Sequence, residues 1–410
     1  MLRVVKFLKS LLHGRESAVE WSAVLSRSFV TSKAVRDAAA DANARYVLGS
    51  SLAEQLTPRR RRIVGSWLLG CAGMCFGAVA LGGLTRLTES GLSIVEWNLI
   101  KGMRPPRSQE QWLAEFEKYK QYPEYEYKVS SRMSEMSLSE FKFIFYMEWL
   151  HRMWGRTTGL VFFIPAAYFW SRRWFSTAMK KRMGLAGGLL LFQGFLGWYM
   201  VKSGLNPANN SEAAIPRVSQ YRLAGHLTSA IVLYTIFLWS GLSHVLKPYD
   251  HTLLAGIGRV RGLAHASKTA MFATAVVGAF VAGLDAGLVY NSWPLMADRY
   301  VPTDLWAKTP WYRNLTDNPT TVQFFHRQLA YVTLALVTAT WWFGRRLPLA
   351  ARSRRVLAAL VVTAYAQAAL GVTALLCYVP VWLASLHQCG SMTLITFAFW
   401  FTNELRRVPK

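Results

Sequence analysis

An acid, an imidazole and a guanidinium stand close together in the stretch EWLHR, residues 148–152. The stretch lies inside an apolar run, residues 141–170, that is long enough to cross a membrane. Glu148 and His151 are three residues apart, so a helix places both on one face, about one turn from each other. Ionisable side chains inside a membrane span are costly and usually functional. The stretch therefore predicts a functional site.

A second stretch, QFFHR at residues 323–327, repeats this arrangement with glutamine in the place of the acid. Each half of the chain also has one further histidine inside a predicted span. Two imidazoles per half suit haem, whose flat ring inserts between the helices of a bundle, whereas a bare metal ion would want three or four ligands. Each histidine taken alone could instead be a core residue bonded to a helix carbonyl. The candidate haem ligands are His151, His226, His326 and His387.

Four arginines are candidate partners for haem propionates, because the guanidinium fork suits carboxylates. Arg152 and Arg327 directly follow candidate ligands, and Arg86 and Arg222 lie at the outer ends of predicted spans. For Arg86 and Arg222, snorkelling to the membrane interface is the alternative.

Glu148 distinguishes the two halves of the chain. An acid one helical turn from an iron ligand can relay protons, whereas Gln323 keeps the shape and the hydrogen bonding without the proton. This asymmetry predicts chemistry in the first half, with Glu148, His151 and His226 as catalytic residues, and a permanent haem in the second half. A purely structural pair between Glu148 and a neighbouring arginine is the alternative.

The chain of 410 residues is 52% hydrophobic and only 17% charged, and its apolar residues form long blocks. A membrane span needs about 20 such residues. The composition predicts an all-α multi-pass membrane protein and disfavours a soluble one. Eight predicted spans lie at roughly residues 63–84, 143–170, 183–201, 223–246, 269–290, 321–343, 355–378 and 381–402.

The formal net charge of +25 is concentrated in short clusters at span ends. If the spans alternate in direction, these clusters fall on one side, and the positive-inside rule places both termini on the inner face. Attraction to anionic lipid accounts for the clusters without any nucleic-acid partner. The clusters lie at residues 59–62, 172–173, 180–182, 345–355 and 406–407, with further basic residues in 247–268.

Residues 1–60 are predicted to precede the membrane domain. Residues 1–12 mix Lys and Arg with apolar residues at helical spacing, the first acid is Glu16, and Ser, Arg and Ala follow in number. This composition is typical of a mitochondrial targeting segment and differs from the longer apolar stretch of a secretory signal. A disordered basic tail on a bacterial protein is the alternative.

Four landmarks occur in the same order in both halves, which indicates an internal repeat. We expect two pseudo-symmetric four-helix bundles at residues 63–246 and 269–402, an inner linker at 247–268 and a tail at 403–410. The first outer loop has an extra polar stretch, in which we expect a short amphipathic helix near residues 109–121. The landmarks pair Trp97 with Trp293, His151 with His326, Gln193 with Gln367, and His226 with His387.

With these landmarks, the sequence resembles the haem A synthase family. The resemblance extends from about residue 63 to residue 402, and the basic N-terminus is similar to that of the mitochondrial branch, which takes part in assembling cytochrome oxidase. The residues that carry it are EWLHR at 148–152, His226, HR at 326–327, His387 and the outer-loop stretches GGLTRLTESGLS at 82–93 and NSWPLM at 291–296.

The resemblance implies oxidation of the C8 methyl group of haem O to a formyl group, which gives haem A. It implies a substrate haem in the His151/His226 half with Glu148 catalytic, and a haem B cofactor in the His326/His387 half. It further implies haem O synthase and an external electron donor, such as a ferredoxin system, as partners. A second copy of the chain in a homo-oligomer and the lipid bilayer complete the expected partners. The expected location is the mitochondrial inner membrane, with both termini in the matrix.

Two other functions are open from the residues alone. A di-haem cytochrome that only carries electrons would use the same four histidines, but it would not need an acid in one half. A transporter is the second alternative, because internal repeats are common in transporters. The repeats here are parallel in topology, and a transporter would not need paired histidines in register.

Overall fold

The structure is a computed structural model that describes residues 56–98, 103–132, 134–205 and 218–406. Within these ranges the regular structure is helical, apart from one isolated bridge between Met296 and Arg299. Residues 1–55 lie outside the described ranges, and with them almost all of the predicted targeting segment.

Eight long helices of 24 to 34 residues make up most of the described chain. Three short helices lie in the connections: α2 (Gln109–Lys120), α3 (Pro123–Arg132) and α8 (Asn314–Asp317). The long helices are α1 (Pro58–Leu87), α4 (Leu138–Ser171), α5 (Thr177–Gly204), α6 (Gln220–Val245), α7 (Ile257–Gly283), α9 (Pro319–Gly344), α10 (Ala351–Leu376) and α11 (Val381–Glu404).

Five of the long helices, α1, α5, α6, α7 and α10, are long and apolar enough to cross a membrane. The chain is therefore a helical membrane protein. The other three, α4, α9 and α11, have 34, 26 and 24 residues, and each carries one of the candidate haem ligands. Polar and ionisable residues lower the hydropathy of these helices, so composition alone does not qualify them as spans.

The ends of the helices follow from local sequence. The Ser137 hydroxyl accepts a hydrogen bond from the Glu140 amide, and the Glu140 carboxylate accepts one from the Ser137 amide, which forms a capping box at the start of α4. At the start of α9, Asn318 caps the helix and Pro319 takes a first-turn position that needs no amide donor. The outer loops therefore pass into α4 and α9 at defined residues.

The long helices pack in two sequential groups. In the first group α1 packs against α4 and α6, and α5 packs against α6; in the second, α7 packs against α9, and α10 against α11. Helices α6 and α11 also join the groups, through α6 with α7 and α11 with both α1 and α6. The candidate ligands of each group thus lie on its second and fourth long helices.

The outer loop of the first half is an ordered cap. The predicted short helix near residues 109–121 is confirmed as α2, and α3 follows it as a second helix that was not predicted. The sequence of α3 is mostly polar, and its Tyr125 packs against the aromatic rings of α2. An aromatic cluster fixes the cap to the first turns of α4; it includes Trp112, Phe116, Tyr119, Phe141 and Phe145.

The first helix of the second half begins earlier than predicted. Helix α7 starts at Ile257, within the segment 247–268 that was expected to be a linker. Its first turns carry Arg259 and Arg261, and the Arg261 Nε donates to the Leu405 carbonyl. The predicted span was defined by its apolar residues alone, so it did not include the basic first turns of the helix.

Candidate functional site

His151 and His326 occupy matching positions against glycines of the neighbouring helix. A methyl group on Gly82 of α1 would lie 2.9 Å from Cε1 of His151, and one on Gly278 of α7 would lie 2.9 Å from Cε1 of His326. Both imidazoles therefore rest directly on a helix backbone. Any larger residue at either glycine would displace the ring.

His226 and His387 are each held by a glutamine one helix away. The Gln367 Nε2 lies 3.0 Å from Nδ1 of His387 and donates to its carbonyl oxygen at 2.8 Å. In the amide orientation that satisfies its neighbours, the Gln193 nitrogen lies 3.0 Å from Nδ1 of His226 and 3.2 Å from its carbonyl oxygen. The two glutamines are equivalent in the repeat, so the structure conserves the arrangement between its halves.

The histidines form one pair in each half. His151 and His226 lie close enough for their rings to interact electrostatically, as do His326 and His387. The pairs come from different helices of one group, which is how bundles hold a cofactor between them. The structure therefore places the two predicted imidazoles of each half near one another, and their binding of a haem stays a prediction.

The proton position at His326 suits a haem ligand. The His326 Nδ1 lies 3.0 Å from the Thr274 carbonyl, which can only accept, so this nitrogen carries the proton and Nε2 keeps its lone pair. In the first half, Nδ1 of His151 is buried and has no hydrogen-bond partner among the described residues. Within the described ranges, no group of three or more His, Cys, Asp or Glu could hold a bare metal ion. Paired imidazoles would suit a haem, and haem binding in each half stays a prediction.

Glu148 is buried in α4, and hydrogen bonds hold both of its carboxylate oxygens. The Ser93 hydroxyl and the Ile94 amide donate to Oε2 at 2.7 and 2.8 Å. On the other oxygen, Nη2 and Nε of Arg152 donate to Oε1 at 2.6 and 3.0 Å. The carboxylate is therefore paired with a cation and fixed to the outer loop at the same time.

Arg152 and Arg327 both tie the outer loops to the bundles. Arg152 donates to the carbonyls of Ile94 and Glu96 at 2.8 and 3.1 Å. Arg327 donates to the carbonyls of Ser292 and Pro294 at 3.3 and 2.6 Å. Both guanidinium groups thus bind loop backbone, and contacts with a haem propionate stay a prediction.

Gln323 takes the position of Glu148 in the second half with the opposite hydrogen-bonding direction. Its Nε2 donates to the carbonyls of Ala286 and Tyr290 at 2.9 and 3.1 Å, while its Oε1 is buried with no partner in the described chain. The first loop presents donors to a carboxylate, and the second presents acceptors to an amide. The difference between Glu148 and Gln323 is therefore accompanied by a matching difference in the hydrogen-bonding groups of the two loops.

The remaining two predicted arginines lie at the C-terminal end of α1 and the N-terminal end of α6. Nη2 of Arg86 forms an ion pair of 2.8 Å with Asp285, which joins the two halves. The Arg222 guanidinium lies 4.9 Å from the centre of the Tyr199 ring. A role for either in binding propionates stays a prediction.

Sequence reasoning did not select the glutamines and glycines that position the histidines. Gln193 and Gln367 were recognised only as markers of the repeat, although their recurrence four residues before Gly197 and Gly371 was visible. Polar residues that recur inside apolar spans are the signal that would have found them.

Comparison with known proteins places this arrangement in a family. Residues 65–399 match the model of the COX15-CtaA family of cytochrome oxidase assembly proteins. The chain belongs to this family.

Curated relatives cover most of the chain. Human haem A synthase COX15 is 53% identical over 349 residues, which are 85% of this chain and 84% of that protein. The yeast protein of the same name, from Saccharomyces cerevisiae, is 41% identical over 373 residues, 84% and 75% of the two chains. Haem A synthase of Rhodospirillum centenum is 44% identical over 348 residues, 84% and 89%. The predicted resemblance to haem A synthases of the mitochondrial branch is confirmed, and the chain is a mitochondrial membrane protein.

Proposed function

We propose that this protein makes haem A by oxidising the C8 methyl group of haem O to a formyl group. The observation that carries the proposal is the difference between Glu148 and Gln323 at matched positions beside matched histidine pairs. One half has a proton-accepting group next to its imidazoles, and the other has only an amide. The relatives named haem A synthase support the same reaction.

The proposed oxygenation of haem O requires protons in the first half. Each oxygenation of the methyl carbon consumes one dioxygen, two electrons and two protons, and it yields one hydroxyl group and one water. A second oxygenation gives a geminal diol, which loses water to form the aldehyde. Protons must therefore reach a buried site, and Glu148 is the buried acid beside His151. The carboxylate can accept a proton from the Ser93 side and hold it while Arg152 keeps the side chain in place.

The two halves take different haems in this proposal. His151 and His226 bind the substrate haem O, and His326 and His387 bind haem B. When bound, haem B supplies an iron centre that passes electrons one at a time. The Thr274 carbonyl orients His326, and Gln367 orients His387, so both rings are held before the haem arrives.

The proposed arrangement in the membrane is eight spans in two four-helix bundles, with both termini in the matrix. The eight long helices and their packing in two sequential groups support it, as does the concentration of basic residues at one set of helix ends. The inner membrane of mitochondria is the proposed location. The proposed partners are haem O synthase, an external one-electron donor such as a ferredoxin system, and a second copy of the chain in a homo-oligomer.

The deciding experiment is expression in membranes that make haem O but have no haem A synthase of their own. Haems are extracted and identified by chromatography and mass. We expect haem A with the intact protein and none with Glu148→Ala or His151→Ala. Glu117→Gln is the matched control, because this glutamate lies exposed on the cap and pairs only with Lys120 in the described chain.

Recovery of haems B and O alone, with the electron donor present, would contradict the proposal and favour a di-haem electron carrier. Loss of haem A in the Glu117→Gln control would show that the assay reports expression or folding, not chemistry.

A further inference from the structure

The first half has a cavity at the edge of its cap. The cavity has a volume of about 360 Å³ and lies between the loop that follows α1, helix α3 and the first turns of α4. Thr88, Lys128 and Glu140 are among its lining residues, and Glu140 is exposed. Polar groups of three different segments thus surround a space that reaches the surface.

A row of hydroxyl groups, of which those of Ser90 and Ser93 are buried, leads from this cavity to Glu148. The Thr88 hydroxyl, on the cavity wall, lies 2.7 Å from the Ser90 hydroxyl. The Ser93 hydroxyl lies 3.1 Å from the Ser90 carbonyl and donates to the Glu148 carboxylate at 2.7 Å. Ser90 is 0% exposed, and Ser93 and Glu148 are each 3% exposed, so the row is shielded from lipid and bulk water.

A buried acid lies beside the row. Nζ of Lys128 binds Oε1 of Glu124 at 2.9 Å and donates to the carbonyl of Glu89, the residue between Thr88 and Ser90, at 2.6 Å. The other Glu124 oxygen, Oε2, and the Tyr119 hydroxyl are buried without a hydrogen-bond partner in the described residues. Buried polar atoms of this kind are where internal water binds.

The charged and titratable groups that face Glu124 come from four segments. They are Lys128 on its own helix, Tyr119 on α2, Glu89 on the loop after α1 and Glu148 on α4. Burial raises the pKa of Glu124 to about 7, against the opposing effect of Lys128. Its charge thus changes near neutral pH, within electrostatic reach of Glu148.

We propose that the cavity is the aqueous entrance of a proton path to Glu148, which runs along Thr88, Ser90 and Ser93, and that Glu124 controls its use through its charge. The path requires a bridging water between the Ser90 and Ser93 hydroxyls, because the Ser93 hydroxyl bonds the Ser90 carbonyl and not the Ser90 hydroxyl. The inference rests on the proposed function, since the oxygenation of haem O is what consumes the protons. The second half needs no such path, because Gln323 accepts no proton.

The test measures proton uptake when the haem of the purified holoprotein is rapidly reduced, with a pH-indicator dye in solution. The part that is lost in Glu148→Gln is assigned to Glu148. We expect Thr88→Val, Ser90→Ala and Ser93→Ala to slow this part about tenfold or more at unchanged haem content. Ser130→Ala is the control, because the Ser130 hydroxyl is exposed and, within the described ranges, bonds only the Tyr127 carbonyl of its own helix. Thr88→Ser, which retains the hydroxyl group, should keep the wild-type rate.

A second arm varies pH. In the wild type, the rate of uptake at Glu148 should change through an inflection near pH 7, and Glu124→Gln should remove that inflection. The path would be overturned if Thr88→Val, Ser90→Ala, Ser93→Ala and Glu124→Gln all kept the wild-type rate and pH dependence. It would also be overturned if Glu148→Gln took up as many protons as the wild type. Slowed uptake in a protein that forms no haem A would leave the path standing and refute the proposed function. The two failures are therefore distinguishable.

Discussion

The two halves of the molecule hold their histidines alike but treat the position beside them differently. In both halves one imidazole rests on a glycine, the other is held by a glutamine, and an arginine binds loop carbonyls. At Glu148 the loop offers a hydroxyl and an amide as donors, whereas at Gln323 it offers two carbonyls as acceptors. The comparison teaches that the two sites differ in the loop as well as in the side chain, because each loop offers the hydrogen-bonding groups that its own side chain needs.

The largest expected effect separates the two histidine pairs. We expect His326→Ala to lose the proposed haem B and all haem A formation, because this removes a proposed haem ligand whose ring bonds the Thr274 carbonyl. We expect His151→Ala to form no haem A either, but to keep the proposed haem B. The absorption spectrum and haem analysis of the purified variants measure both. Equal haem loss in both variants would contradict the division of labour between the halves.

The next effect concerns the acid itself. Glu148→Gln should lower haem A formation by about 10²–10⁴-fold, the range typical of a lost proton-transfer group, with haem still bound. The amide would also place a donor against the Ser93 hydroxyl, the Ile94 amide or Arg152, so some loss of stability accompanies it. Turnover per bound haem is the appropriate measure.

The reciprocal variant, Gln323→Glu, sharpens this comparison. Its carboxylate would face the carbonyls of Ala286 and Tyr290, so we expect destabilisation and no new activity. Haem A formation by a protein with Glu148→Gln and Gln323→Glu combined would refute the view that each loop is matched to its own side chain.

The glycines beneath the histidines allow a graded test. An added methyl group would lie 2.9, 2.9 and 2.8 Å from a histidine ring atom at Gly82, Gly278 and Gly371, but 3.7 Å away at Gly197. The first three Gly→Ala variants should cost about 1–3 kcal/mol and shift the haem spectrum of their half. Gly197→Ala should behave like the wild type. Thermal unfolding and haem spectra of the four variants measure these effects. A Gly197→Ala protein as unstable as the other three would contradict the prediction.

Much of this arrangement was predictable from the sequence, because the two halves repeat the same histidines, arginines and glutamines in the same order. The histidine pairs, the difference between Glu148 and Gln323 and the helix near residues 109–121 follow from residue type and spacing. The partners of Arg152 and Arg86 do not, since both depend on how loops fold over the helix ends. Asp285 illustrates the limit: it meets Arg86 across 199 positions of chain, with no local pattern to signal it.

The cap gives a pH-dependent prediction that applies to the first half only. The pKa of Glu124 is about 7 in the folded cap and 4.5 ordinarily, so the folded state binds more protons between these values. The stability of the cap should therefore be greatest below about pH 4.5 and should fall as pH rises through about 7. Hydrogen exchange of residues 109–132 at pH 5, 6, 7 and 8 measures this.

In Glu124→Gln the decrease in cap protection between pH 5 and pH 8 should disappear, while Glu117→Gln should retain it. The same decrease in the Glu124→Gln protein would show that the pH dependence of the cap does not come from Glu124.

The smallest expected effect belongs to the ion pair between the halves. Arg86 and Asp285 are joined at 2.8 Å, but their side chains are 21% and 42% exposed, so water and salt screen the attraction. Asp285→Asn should cost only about 0–1 kcal/mol, and the loss should shrink at high ionic strength. Thermal unfolding at low and high salt measures it. If the variant instead lost several kcal/mol of unfolding free energy at every salt concentration, the pair would determine how the two halves pack. The half with Glu148 would then depend on the other half for its structure as well as for electrons.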